Sequence, residues 1–160
     1  MKILMVCLGN ICRSPLAEGI MKSKANKYKL EIEVDSAGTA AYHAGEMPDP
    51  RSMEVAAKNG IDLSYQRARK FQPVDFEKFD KIFAMDRYNF SDLAAQARNG
   101  IDTGKIDMIL NITSPGENRD VPDPYYGGKD GFDKVYKMLD DACEIIAKEI
   151  AANGLEKKSL

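Results

Sequence analysis

One short stretch near the start of the chain, Val6-Cys7-Leu8-Gly9-Asn10-Ile11-Cys12-Arg13-Ser14-Pro15, brings a thiol, a guanidinium and a hydroxyl together. Five residues separate Cys7 from Arg13, and Ser14 follows the arginine at once. These are the parts needed to attack a phosphate ester with sulfur. A phosphate monoester is a dianion that repels nucleophiles, so its charge must be neutralised first. Backbone N–H groups of a curled loop running into a helix N-terminus supply such a cradle, here Leu8, Gly9, Asn10, Ile11 and Cys12. Gly9 relieves crowding in the curl, and Asn10 tolerates a left-handed backbone. Arg13 offers a planar fork to two phosphate oxygens, which lysine cannot match. The same positive surroundings favour a Cys7 thiolate. Ser14 can donate a hydrogen bond to that thiolate and ease its later departure. A lone cysteine at a strand end is usually a small core hydrophobe. The company of Gly, Asn, Ser and Pro between a strand and a helix decides here for a nucleophile. Inorganic phosphate or vanadate should occupy the same cradle and inhibit.

The surrounding pattern says what must hold this loop. Short apolar runs alternate with helical ones. Strands are expected at residues 2–6, 32–36, 81–85 and 105–110. Helices are expected at 15–28, 50–59, 87–97 and 132–151. Leu16, Ile20 and Met21 share one side of the first helix, with Pro15 in its first turn. Asp49 reads as the N-cap of the second helix and Gly60 as the residue that ends it. In the last helix Phe132, Val135, Leu139, Ala142, Cys143, Ile146 and Ile150 follow a 3.6-residue period. Residues 38–49 and 114–131 read as loops. Strand–helix alternation implies an α/β fold, a parallel sheet with helices on both faces. Ligands in such sheets bind at the carboxyl ends of the strands, where Cys7 stands.

Bulk properties narrow the class. With 160 residues, 44% hydrophobic and 30% charged, the chain suits one globular domain. A net charge of −2 gives no reason to expect nucleic acid as a partner. No apolar run approaches the ~20 residues of a membrane span, so no membrane insertion is expected. The run from Met1 to Cys7 is too short for a secretory leader and reads as a core strand. Three cysteines and one histidine make neither a disulfide framework nor a zinc site, and a cytoplasmic setting with reduced thiols follows. No metal and no cofactor are expected.

The loop resembles that of the low molecular weight protein tyrosine phosphatases, and the similarity spans residues 2–150. Ser36-Ala37-Gly38-Thr39, Pro48-Asp49-Pro50-Arg51, Arg67-Ala68-Arg69, Met85-Asp86 with Asn89, and Asp123-Pro124-Tyr125-Tyr126 all look like the family's segments. The resemblance implies a four-stranded parallel sheet of flavodoxin-like or Rossmann-like type. It also implies metal-free hydrolysis of protein phosphotyrosine through a cysteinyl-phosphate. Residues 1–153 would form a single catalytic phosphatase domain and 154–160 a polar tail. Cys7 would be the nucleophile, Arg13 the phosphate fork and Asp123 the general acid, later the base that activates water. Tyr125 and Tyr126, with Tyr42 opposite, would wall a slot for the substrate ring. Ser36 resembles a serine that bonds the strained Asn10. Gln66 stands where the family usually has histidine, so the network there should persist without its pH response. Asp86 either pairs with Arg13 or caps the following helix, and the cap is preferred. His43 reads as a solvated loop residue, and Cys143 as core. Cys12 has two open readings: packing beneath the loop, or, as the resemblance implies, a reversible disulfide with oxidised Cys7.

Three rival activities are compatible with parts of this pattern. An arsenate reductase of the same fold needs further redox cysteines in mid-chain, and residues 62–98 have none. Protein arginine phosphatases resemble this chain but carry threonine where Ile11 stands and lack the tyrosine pair. A phosphotyrosine-binding module without catalysis would not need Cys7, Arg13 and Asp123 together. Tyrosine-phosphorylated proteins are therefore the expected partners.

Overall fold

The computed structural model describes residues 1–153. The expected polar tail, 154–160, lies outside the described residues. Strand β1 (Lys2–Cys7) leads through the Cys7 loop into helix α1 (Arg13–Lys27), and β2 (Glu33–Gly38) follows. Next come α2 (Pro50–Lys58), the single turn α3 (Asp75–Lys78) and β3 (Lys81–Ala84). The chain continues with α4 (Arg87–Gln96), α5 (Gly100–Gly104), β4 (Ile106–Met108) and α6 (Lys129–Ala152). The sheet is four-stranded and wholly parallel, in the order β2-β1-β3-β4. The order departs from β1 in both directions, so the carboxyl ends of β1 and β3 flank the crevice where ligands settle in such sheets.

Alternation along β1 builds two cores. Ile3, Met5 and Cys7 face one side, packed among Leu16, Ile20, Val55, Leu139 and Ile146 of α1, α2 and α6. Leu4 and Val6 face the other, against Phe71, Phe76, Ile82 and Leu93. Helices thus cover both faces, and Ile3 to Cys7 are buried on one face or the other. Asp49 caps α2 through the Arg51 N–H, and Gly60 ends it at φ 78°, as the sequence predicts.

Several elements differ from expectation. The fourth strand is shorter, because Ile109 to Asn111 turn into a 3-10 helix. Ile109 and Leu110 thereby join the first core, whereas Met108 belongs to the second. The second strand runs on to Gly38, which pairs with Cys7. A side chain at Gly38 could not be accommodated: a Cβ there would lie 2.7 Å from the Leu8 carbonyl oxygen. The short helices α3 and α5 carry too few residues to show a period.

Candidate active site

Cys7 is the last residue of β1 and Arg13 the first of α1, so strand and helix fix both ends of the loop. Cys7, Arg13 and Ser14 are all at least 97% buried. Asn10 takes φ 57°, the left-handed region expected of it. The N–H groups of Gly9, Asn10, Ile11, Cys12 and Arg13 donate to no protein acceptor among the described residues. They form a ring of free donors at the positive end of a fifteen-residue helix. From outside, the loop is braced by four bonds. Thr39 N–H donates to Cys7 O at 2.9 Å and Ala40 N–H to Leu8 O at 3.0 Å. Asp49 N–H donates to Ile11 O at 2.8 Å, and the Ser52 hydroxyl to Cys12 O at 3.2 Å.

Hydrogen-bond directions beneath the loop can be read in order. The Arg69 N–H donates to Asn10 Oδ1 at 3.0 Å, which fixes the amide's orientation. Asn10 Nδ2 can only donate, and it does so to Ser14 Oγ at 2.8 Å and to Ser36 Oγ at 3.0 Å. Ser36 passes its own proton to Glu18 Oε1 at 2.7 Å. Ser14 is left with its proton, and its remaining neighbour is Cys7 Sγ at 3.0 Å. The network therefore ends on a hydroxyl donating to the sulfur, which favours the thiolate.

Arg13 is equally constrained. Its Nη1 donates to Asp86 Oδ2 at 2.7 Å and to the Val121 carbonyl at 3.0 Å. That anchoring leaves the Nε–Nη2 edge as a fork for phosphate oxygens. Burial works against the guanidinium's charge, but Cys7, Asp86 and Asp123 outweigh it and hold the group protonated above the usual arginine range. The two readings of Asp86 are both realised. One oxygen accepts from Asn89 N–H at 2.8 Å as the N-cap of α4, and the other takes Arg13. Asp123 stands opposite, with Oδ2 3.8 Å from Arg13 Nη2 and Oδ1 accepting the Tyr125 N–H at 3.0 Å. Its side chain is 41% exposed.

Cys7, Leu8, Gly9, Ile11, Cys12, Arg13, Tyr42, Asp123, Tyr125 and Tyr126 line one cavity of about 360 Å³. Buried Cys7 lies at its floor, while Tyr42 and Tyr126 stand exposed at its rim. The rings of Tyr125 and Tyr126 meet edge to face, 4.9 Å apart. His43, expected in solvent, also lines the cavity; its Cδ2 lies 3.1 Å from where a Gly9 Cβ would stand. The 38–49 segment therefore folds back over the cradle, and glycine at position 9 makes room for it. His43 Nδ1 and Glu46 Oε2 are 3.0 Å apart.

Two members of the supporting network were not apparent from the sequence. Glu18 is 3% exposed and accepts from Ser36, from Lys22 at 2.9 Å and from the Tyr65 hydroxyl at 2.7 Å. Gln66 does not reach Asn10 or Ser36. Its amide donates to Pro15 O at 3.0 Å and to the Tyr65 oxygen at 3.3 Å. The network beneath the loop runs through Glu18 and Tyr65, and Gln66 meets it only at the Tyr65 hydroxyl. The available signal for Glu18 was its place four residues after Ser14, on the same side of α1.

Cys12 is buried at the N-cap of α1, and burial, then Asp49 and Cys7, push its thiol up to about 12. Cys143 is wholly buried on α6, where burial raises its thiol further. Both, like Cys7, are free thiols. Among the described residues no helix is long and apolar enough to cross a membrane.

Comparison with known proteins shows the family. A family model described as low molecular weight phosphotyrosine protein phosphatase matches residues 2–157. A protein of that name from Schizosaccharomyces pombe is 44% identical, over 94% of this chain and 97% of its own. The crystal structure of a protein tyrosine phosphatase from Entamoeba histolytica superposes with a TM-score of 0.89. It is 39% identical, over 97% of this chain and 99% of that one. A Drosophila arginine phosphatase structure also matches, with a TM-score of 0.86 and 34% identity over 92% of this chain and 96% of that one.

Proposed function

This chain is an enzyme of the low molecular weight phosphotyrosine protein phosphatase family, and from that premise we propose that it hydrolyses phosphotyrosine in proteins through a cysteinyl-phosphate. Residues 1–153 are read as the single catalytic domain. The observation that carries the mechanism is the order of donors ending at Cys7, set beside the free N–H ring and the anchored Arg13.

The phosphate dianion is held by the N–H groups from Leu8 to Arg13 and by the Nε–Nη2 edge of Arg13. The Cys7 thiolate attacks phosphorus as the bond to the phenolic oxygen breaks. Asp123, entering as the carboxylic acid, gives its proton to that oxygen. In the second step the Asp123 carboxylate takes a proton from water as the water oxygen bonds to phosphorus. Sulfur leaves as thiolate, stabilised again by Ser14, and inorganic phosphate is released. Charge on phosphorus oxygens is met throughout by fixed donors, which need no reorganisation. The tyrosines Tyr42, Tyr125 and Tyr126 that line the cavity with Cys7 suit the ring of an aromatic phosphoester. Cys12 protects Cys7 by trapping its sulfenic acid as a disulfide. A cytoplasmic location accords with three reduced thiols.

The test is leaving-group dependence. Asp123→Ala should lower kcat/KM on phenyl phosphate by ~10²–10⁴-fold. On dinitrophenyl phosphate, whose phenolate leaves without a proton, the loss should nearly vanish. Equal losses on both would remove Asp123 from the acid role. Faster turnover of phosphoarginine than of phosphotyrosine peptides would overturn the substrate assignment.

A further inference from the structure

The acid loop is tied to the cradle by a side chain that the mechanism above does not use. Arg51, on the first turn of α2, is part-exposed, yet its Nε, Nη1 and Nη2 all have acceptors. Its Nε and Nη2 form a two-pronged pair with Asp49, at 3.0 and 2.9 Å. Its Nη1 donates to the Tyr125 carbonyl at 3.0 Å. Its Cζ lies 5.3 Å from the centroid of the Tyr125 ring and 4.7 Å from that of Phe132, within cation–π range of both.

These contacts close a circuit around the catalytic groups. Asp49, which holds Arg51, donates its own N–H to Ile11 O in the cradle. Tyr125, which Arg51 holds by the carbonyl, donates its N–H to Asp123 Oδ1. The path therefore runs from the cradle through Asp49, Arg51 and the Tyr125 peptide to the Asp123 carboxyl. Asp123 is exposed on its other sides and belongs to a segment without helix or strand. A proton donor must sit within hydrogen-bond reach of the leaving oxygen, so its distance from the nucleophile matters as much as its chemistry. Arg51 has no spare fork for a substrate carboxylate or phosphate, because Asp49 occupies it.

We propose that Arg51 is the positioning residue for general-acid catalysis, clamping the Asp123 loop over the cradle through Asp49 and the Tyr125 carbonyl. The inference rests on the acid role proposed for Asp123. A solely structural arginine would, on removal, lower the amount of active enzyme and affect all substrates alike. A clamp on the acid affects only substrates whose leaving group needs the proton.

The experiment compares Arg51→Met with the wild type, each with and without Asp123→Ala. The readout is kcat/KM on phenyl phosphate and on dinitrophenyl phosphate, with vanadate inhibition as a check on the cradle. Arg51→Met should lose about 10-fold on phenyl phosphate, a part of what a general acid contributes. It should lose less than about 2-fold on dinitrophenyl phosphate, keep vanadate affinity, and add nothing in the Asp123→Ala background. Equal losses on both substrates, a further loss without Asp123, or weakened vanadate binding would each overturn the proposal. If Asp123→Ala itself shows no leaving-group dependence, the acid assignment fails and Arg51 falls with it. If Asp123→Ala shows that dependence and Arg51→Met does not, only the clamp is wrong. Should Arg51→Met not fold, Arg51→Lys, which keeps the charge but lacks the fork, carries the same test.

Discussion

Replacing Ser14 with alanine removes one hydroxyl from the end of the donor chain and changes little else. Asn10 keeps its orientation, because Arg69 N–H still holds Oδ1 and Ser36 still takes Nδ2. What disappears is the 3.0 Å contact with Cys7 Sγ. A hydrogen bond to a charged partner contributes about 1.5–3 kcal/mol, which corresponds to about 10- to 150-fold in rate. The two chemical steps should feel this loss differently. In the first, the thiolate is the attacking group, and losing a donor makes it less stabilised but no less nucleophilic. In the second, the thiolate is the departing group, and losing the donor raises the barrier directly. Dephosphorylation should become more strongly rate-limiting. Stopped-flow measurement with a nitrophenyl phosphate should then show an enlarged burst of phenolate, one equivalent per active site, followed by a steady state slowed about 10- to 150-fold. A variant whose kcat stays within about 3-fold of the wild type would refute the donor role of Ser14, since that is well under the smallest value expected.

Further outcomes follow from the same geometry. Tyr65→Phe removes one of three donors to the buried Glu18 carboxylate. It should cost about 1.5–3 kcal/mol, lowering Tm by roughly 3–12 °C, and it should reduce kcat as Ser36 and Asn10 loosen; unchanged Tm and kcat would show that Tyr65 carries no part of the network. Because the Cys12 thiol is pushed up to about 12, it is almost wholly protonated at neutral pH. Its capture of oxidised Cys7 should therefore quicken by roughly 10-fold per pH unit below that value, in proportion to its thiolate fraction. Thiol-reversible recovery after peroxide, compared at neutral and alkaline pH by mass spectrometry, tests this; recovery independent of pH, or seen equally in Cys12→Ser, would leave Cys12 as packing alone. Vanadate should inhibit competitively, and chelators should not inhibit, because Arg13 and backbone N–H groups supply the positive charge. Loss of activity on chelation, with recovery on adding magnesium, would contradict this.

Much of the site was legible in one dimension because its parts obey local rules. The Cys7 loop joins a strand to a helix, so its position at a strand's carboxyl end follows from the alternation alone. Asn10 announced its left-handed backbone by residue type, and Ser36 its bond to Asn10 through the resemblance. Glu18 offered only its spacing from Ser14, four residues on along α1. Helix α1 is buried from Arg13 to Met21, so it lacks the polar face against which an inward carboxylate would stand out. For Asp86 the sequence suggests a cap or an ion pair, yet a carboxylate has two oxygens and serves both. His43 came to the cavity because the segment after Gly38 folds back over the loop, a tertiary outcome that loop composition cannot state. Gln66 shows the same limit from the other side. Its amide turns to Pro15 O, while its neighbour Tyr65 is the residue whose hydroxyl reaches Glu18.

The proposed mechanism requires a covalent bond between Cys7 and phosphorus. Acid quenching of the enzyme during turnover of a phosphotyrosine peptide, followed by peptide mass spectrometry, observes it directly. The covalent mechanism predicts one phosphate on the peptide containing Cys7, absent when inactive Cys7→Ala is treated the same way and more abundant in Ser14→Ala. A phosphoryl group on another residue, or turnover retained by Cys7→Ala with no phosphoenzyme at any time, would contradict it.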